Sequence, residues 1–140
     1  MEVEINWLAV ILAAISNFVV AAVWYSPPLF MRPWLADTGV SHEKFASGFG
    51  KSLGVSVVTA FLLAFTIAYV AGLGREVYGG GTFTAAMFSA LGLWLGIAFA
   101  VALAANVFEG RPVRLTVVQA GGTLVTMAVM GLIIGLLGGF

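Results

Sequence analysis

Few side chains in this 140-residue chain are equipped to do chemistry, and they are scattered. Three amides, Asn17, Asn106 and Gln119, lie in or at the ends of long apolar stretches, together with hydroxyls at Ser52, Ser56, Thr59, Thr116, Thr123 and Thr126. An amide in apolar surroundings is costly unless another side chain, water or a ligand bonds it. A Ser or Thr escapes that cost by bonding the carbonyl four residues back. The amides therefore point to one of two roles: glue between helices, or a neutral hydrogen-bonding pocket or path. Acid–base and nucleophilic chemistry fare worse. His42 is the sole histidine and stands in a loop, so a histidine metal cluster is excluded. Asp37, His42 and Glu43 read as a solvated loop, and Glu109 with Arg111 as a loop ion pair of little energetic worth. An enzyme acting on lipid would have only Glu109 and His42 to draw on. With no cysteine there is no disulfide, thiolate metal site or thiol nucleophile. Gly79, Gly80 and Gly81 follow no strand and lack the lysine of a P-loop. They read as an external turn, with Thr82 capping the next helix. The expectation is no enzymatic activity, no cofactor and no metal.

The elements that hold these groups are set by hydropathy. The composition is 61% hydrophobic and only 9% charged, with mean hydropathy +1.10, whereas a soluble domain carries about a quarter charged residues. A membrane-spanning helix needs about 20 mostly apolar residues. Four segments qualify, 6–25, 52–73, 83–107 and 115–138, none with an Asp, Glu, Lys or Arg inside. The fold class is an all-α membrane protein: four antiparallel transmembrane helices in a compact bundle, one domain over residues 1–140. Residues 26–51 form an interfacial loop, and the connections around 75–81 and 109–114 are tight turns. The acidic start, Met1-Glu2-Val3-Glu4, and the lack of an Ala-x-Ala site argue that the first segment is kept as a helix. Zero net charge without a basic patch argues against a nucleic-acid partner.

Orientation follows from Lys and Arg in the short loops. Arg32, Lys44, Lys51, Arg111 and Arg114 belong to the first and third connections, and Arg75 alone to the opposite side. That bias places the first and third connections in the cytoplasm and both termini outside. Trp7 then falls at the outer interface, and Trp24, Tyr25 and Trp34 at the inner one. Pro27-Pro28 ends the first helix. Ser41 is an N-cap with Glu43 in the first turn, so the second helix starts near His42 with break points at Gly48 and Gly50.

Small residues recur every fourth position, the spacing that lets helix backbones approach closely in lipid. The rows are Ala9, Ala13, Asn17, Ala21; then Gly48, Ser52, Ser56, Ala60, Ala64, Ala68, Gly72; then Gly92, Gly96, Ala100, Ala104; then Gly131, Gly135, Gly139. One bundle of four helices does not use every row internally, so a remaining row is available for self-association. The polar residues crowd toward the cytoplasmic half. Asn17, Trp24, Tyr25, Asn106, Glu109, Gln119 and Thr123 are the candidates for a ligand site or pathway, a vestibule opening inward.

Trp24-Tyr25-Ser26-Pro27 with Phe30 and Trp34, and Phe108-Glu109-Gly110-Arg111-Pro112 leading to Gln119-Ala120-Gly121 and Met130-Gly131, resemble the bacterial membrane proteins designated domain of unknown function 1761. The resemblance covers essentially the whole chain. It implies a four-helix protein of the bacterial cytoplasmic membrane, and an asparagine at the position of Gln119, where the longer side chain keeps the amide. The functional expectation is a non-enzymatic membrane protein acting by helix packing, as a homo-oligomer or with other membrane subunits. The alternative is a small oligomeric channel or transporter for a neutral or small solute. Proton-coupled export would need a buried carboxylate, and the first helix offers only Asn17.

Overall fold

A computed structural model describes residues 3–138, with the backbone alone at His42 and Phe45. Among these residues there is no strand, and seven α-helices follow one another. The first, α1, covers Trp7–Trp24, and its N-cap Asn6 accepts a hydrogen bond from the Ala9 N–H. Past Tyr25 the Pro27-Pro28 pair turns the chain into α2, Met31–Thr38, which Gly39 ends in a left-handed conformation, φ 71°. The short α3, His42–Ser47, is capped by the Ser41 hydroxyl, which accepts from the Lys44 N–H. A break at Gly48 leads into α4, Phe49–Tyr78, whose 30 residues make a rod about 45 Å long. Helix α5, Thr82–Leu93, continues through a π-helical segment, Trp94–Phe99, into α6, Ala100–Phe108. The last helix, α7, is Val113–Leu137.

Four helical stretches are long and apolar enough to cross a membrane: Trp7–Trp24, Phe49–Tyr78, Thr82–Phe108 and Val113–Leu137. Three match the expected spans to within a residue or two. The second differs, beginning at Phe49 and running to Tyr78 rather than 52–73. Its hydroxyls, Gly50 and the terminal Arg75-Glu76 are all compatible with helix, so the helix outruns its apolar stretch. Residues 26–51 are not an open loop, since α2, α3 and the start of α4 occupy much of them. Nor does Thr82 cap α5. Gly81 takes the N-cap position, and the Thr82 hydroxyl donates across to the Gly135 carbonyl at 3.3 Å.

Long-range hydrogen bonds define the two ends of the molecule. At one, Asn6 Nδ2 donates to the Gly138 carbonyl at 3.0 Å, close to the Thr82–Gly135 bond. At the other, Arg114 Nε donates to Asp37 Oδ2 at 2.9 Å and ties α2 to the start of α7. The first and third connections, which carry most of the basic residues, thus meet at one end.

Helix α7 is the axis. In its most apolar window 44% of residues are buried, against 17%, 22% and 11% in the other three stretches. Glycine makes this possible: a β-carbon at Gly131 would lie 2.9 Å from the Ala90 Cβ, and one at Gly135 would lie 2.9 Å from the Phe83 Cα. The row on α4 is buried at Ala60, Ala64, Ala68 and Gly72 but open at Ser52, and on α1 Ala9 and Ala13 are buried. Gly139 lies outside the described residues.

The third row is the one the bundle leaves unused. Gly92, Gly96, Ala100 and Ala104 are all exposed, and Ala86 and Ala90 face α7 instead. The π segment accounts for much of the difference. From Ala86 to Asn106 a straight α-helix makes about five and a half turns, which would set the two residues on opposite faces. The wider turns of Trp94–Phe99 take up much of that mismatch, so Ala86, Ala90 and Asn106 all meet α7.

Candidate functional site

The face of α1 that turns toward α7 carries Asn17, Val20, Ala21 and Trp24, at helical spacings of three and four. Opposite Asn17, α7 presents Gly122, Thr123 and Thr126, and Leu63 of α4 closes the side. Between them is a chamber of about 160 Å³. Trp24 forms its floor. The indole Nε1 donates to the Val118 carbonyl at 2.8 Å, and the ring lies flush on Gly121 and Gly122, where β-carbons would come within 3.0 and 2.8 Å of it. Phe30 backs the ring at 4.5 Å between centroids. Trp24 is therefore turned inward to α7. Trp7, at the other end, stacks on Phe65 and Phe61 of α4.

The chamber is polar on one wall. Thr126 is buried, and the Thr123 hydroxyl donates to the Gln119 carbonyl at 2.9 Å, which leaves its lone pairs to accept. Asn17 is half-buried, and its amide makes no side-chain hydrogen bond among the described residues. Next to the chamber, sharing Ala21 and Tyr25 with it, is a larger cleft of about 430 Å³ between α1, α2 and the first turns of α4. Phe18, Met31, Trp34, Phe49 and Leu53 line it, with Ser52, Ser56 and the Tyr25 phenol as its polar side chains. Tyr25 meets Trp34 edge-on at 5.6 Å. Among the described side chains no Asp, Glu, Lys, Arg or His lines either cavity.

The candidate residues thus separate into three places. Asn17, Trp24, Tyr25 and Thr123 come together at the chamber. Asn106 does not join them: it is 6% exposed, and its Nδ2 donates to Thr116 Oγ1 and to Gln119 Oε1, each at 2.9 Å. This is a direct clasp between α6 and α7 with both amide protons used. Gln119 is half-buried, part of the clasp and absent from the chamber lining. Glu109 stands exposed on the last turn, 2.9 Å from Arg111. The expected single vestibule holding all three amides is not what forms. Depth explains it: Gln119 shares a face of α7 with Thr123 and Thr126, but it lies one turn nearer the start of the helix, where Asn106 of α6 takes its amide oxygen.

Of two groups, one is missed in the sequence and the other misplaced in a solvated loop. Trp94, in the π segment, donates its indole N–H to the Ala120 carbonyl at 2.8 Å, so two indoles grip α7 at carbonyls two residues apart. The Gly121-Gly122 pair is the one local sign that a large ring packs there. Asp37 is the other. It pairs with Arg114, and not with His42 or Glu43, and the hydrogen bond and charge of that guanidinium hold its carboxyl below the ordinary value. Among the described residues no three His, Asp or Glu side chains gather into a metal site.

The sequence profile of one family, described as protein of unknown function, DUF1761, matches residues 8–135. The chain belongs to the DUF1761 family. No curated protein and no solved structure matches it. The DUF1761 match runs from Leu8 in α1 to Gly135 near the end of α7. Chamber, cleft and the Asn106–Gln119 clasp all lie inside it, so the site is part of the DUF1761 domain itself.

Proposed function

We propose that this DUF1761 protein is a multi-pass protein of the bacterial cytoplasmic membrane, with four antiparallel spans in a compact bundle and both termini outside. It has no enzymatic activity and acts by helix packing, as a homo-oligomer or as an accessory subunit of a membrane complex. One observation carries this reading: the small-residue face of the third span is unused within the chain. Exposed positions on α1 are large, among them Leu8, Ile11, Ile15 and Val19, as suits a surface against acyl chains. The third span exposes large residues too, Phe88, Leu95 and Val101 among them, but beside them it leaves the row Gly92, Gly96, Ala100 and Ala104 uncovered. A β-carbon at Gly92 or Gly96 would meet nothing within 4 Å, and neither glycine has the positive φ that would require it. Close approach of a second helix is the role left for them.

The test is the mass of the protein in lipid nanodiscs of increasing diameter, wild type against Gly96→Leu. The expected result is an oligomer, or a complex with another membrane subunit, that Gly96→Leu disperses without lowering the thermal midpoint of the single chain. Retention of the same assembly by Gly96→Leu, or a wild type that stays a lone monomer both in nanodiscs and in its native membrane, defeats the reading.

The Asn17 chamber favours a second reading, a small oligomeric channel or transporter for a neutral solute. An unpaired amide at the middle of a span, beside two threonines, suits an uncharged hydrogen-bonding cargo. Flux of small neutral solutes into proteoliposomes, compared with Asn17→Leu, tests it.

A further inference from the structure

We infer that the Asn17 chamber and the α1–α2–α4 cleft are two halves of one binding site for a neutral amphiphile, a small uncharged hydrogen-bonding head joined to an apolar chain. The inference deepens the second reading at the same chamber and shares its membrane placement, but it requires binding alone and not transport.

Adjacency is the first argument. Ala21 and Tyr25 line both cavities, so only these two side chains need stand between a head in the chamber and a chain in the cleft, and Ala21 offers no more than a methyl. The division of polarity is the second. Asn17, Thr123 and Thr126 put one amide and two hydroxyls on the chamber wall, while the cleft beyond is walled by Phe18, Trp34 and Phe49. A head that accepts from the Asn17 amide and donates to a threonine oxygen finds both partners in the chamber, and an apolar chain finds aromatic and aliphatic walls in the cleft.

Charge decides the class of head. Among the described side chains neither lining holds an Asp, Glu, Lys, Arg or His, so a carboxylate, phosphate or ammonium would be desolvated with none of them as counter-charge, at a cost that a neutral head avoids. Asn17 is the free donor. The buried amide, Asn106, uses both protons within the protein, whereas the half-buried Asn17 uses none and its amide is open to the chamber, where a ligand or water can bond it.

Size and access agree. The chamber is about ten times the roughly 10–15 Å³ that one water needs, and the cleft falls within the roughly 300–1,000 Å³ common for small-molecule sites. The first turns of α4, from Phe49 to Val55, are exposed throughout. The cleft is therefore open at the side of the molecule, which in the membrane placement proposed above is the side an amphiphile enters from.

The experiment is photolabelling in nanodiscs with a long-chain primary alcohol carrying a diazirine in its chain, and with the corresponding carboxylate. The expected result is saturable labelling of α2 and the start of α4 by the alcohol, competed by unlabelled long-chain alcohol. Asn17→Leu should weaken it about tenfold, the loss of one good hydrogen bond. Ala21→Phe, which fills the passage, should abolish it, while Val19→Phe on the exposed face of α1 should leave it unchanged. The carboxylate should label at least about tenfold more weakly. Thermal midpoints confirm folding, and Ser56→Leu in the cleft replaces Ala21→Phe if that variant does not fold. Labelling that rises without saturation and is equal in every variant means partition into the bilayer only and overturns the inference. So does saturable labelling indifferent to Asn17→Leu, which leaves the chamber a water-filled space. Saturable binding without solute flux sinks transport and leaves the site standing; flux without saturable labelling does the reverse.

Discussion

A β-carbon at Gly122 would stand 2.8 Å from the Trp24 indole, and that indole donates its proton to the Val118 carbonyl one turn earlier on the same helix. The glycine and the tryptophan are thus one joint between α1 and α7. Close contact and a hydrogen bond act on the same ring, and the chamber beside Asn17 has its floor set by that ring.

Gly122→Ala should break the joint. The added methyl forces the ring away and strains the bond to Val118. Overpacking of a tight site costs about 1–3 kcal/mol in soluble cores, and a loss of that order is expected here. Gly96→Ala, with open space around it, should change the stability of the single chain little. Thermal unfolding followed by tryptophan fluorescence compares the two, and equal midpoints would mean that the ring moves aside freely.

Ala64→Leu should also destabilise by about 1–3 kcal/mol, because Ala64 is 0% exposed in the α4 row. The control is Leu62→Ile, at a residue 54% exposed. Leu63, the neighbour that sequence alone would nominate as the outward control, is half-buried and lines the chamber. A midpoint for Ala64→Leu no lower than that for Leu62→Ile would show that the row tolerates bulk.

The Asn106–Gln119 clasp should appear as coupling in a double-mutant cycle with Asn106→Ala and Gln119→Ala. Membrane interhelical hydrogen bonds average about 0.6 kcal/mol, with a maximum near 1.7, and coupling within that range is expected. Asn17→Ala with Gln119→Ala should be additive, since the two side chains share no contact. Coupling between Asn17 and Gln119 would instead restore a single polar site.

Acid should release α2. The guanidinium of Arg114 holds the Asp37 carboxyl below its ordinary value of 3.8. The stabilisation is therefore fully present above that ordinary value and disappears as pH falls through the lower, folded one. Protease sensitivity between Met31 and Ser47 should rise over that acidic window, and Asp37→Asn should be sensitive already at neutral pH. Arg114 is exposed, so high salt should weaken the tie as well. A segment equally protected in Asp37→Asn would show that α2 is held by packing alone.

Both termini should face outward. Phe140 lies outside the described residues, but a reporter fused after it reads the side directly. A reporter that works only outside the cytoplasm should be active and a cytoplasm-only reporter silent. The reverse pattern overturns an orientation built on five basic residues against one.

The four long helices were legible before any coordinates, because an uninterrupted run of about 20 apolar residues has few other fates. Local chemistry was legible too: Ser41 caps α3, and Gly48 breaks the chain before α4. What the sequence alone did not determine is which face of each helix looks inward. In a soluble protein polar residues mark the outer face, but in these spans both faces are apolar and the pattern falls silent. Small-residue spacing was the substitute. It served on α1 and α4, where Ala13 and Ala64 are buried, and failed on the third span, where the π segment rephases the helix and no local residue announces it. The amides show the same limit. That Asn17, Asn106 and Gln119 each needed a partner followed from their chemistry, whereas the partner depended on which helix lies opposite at each depth. Tertiary packing alone turned Asn106 and Gln119 to each other and left Asn17 facing a chamber.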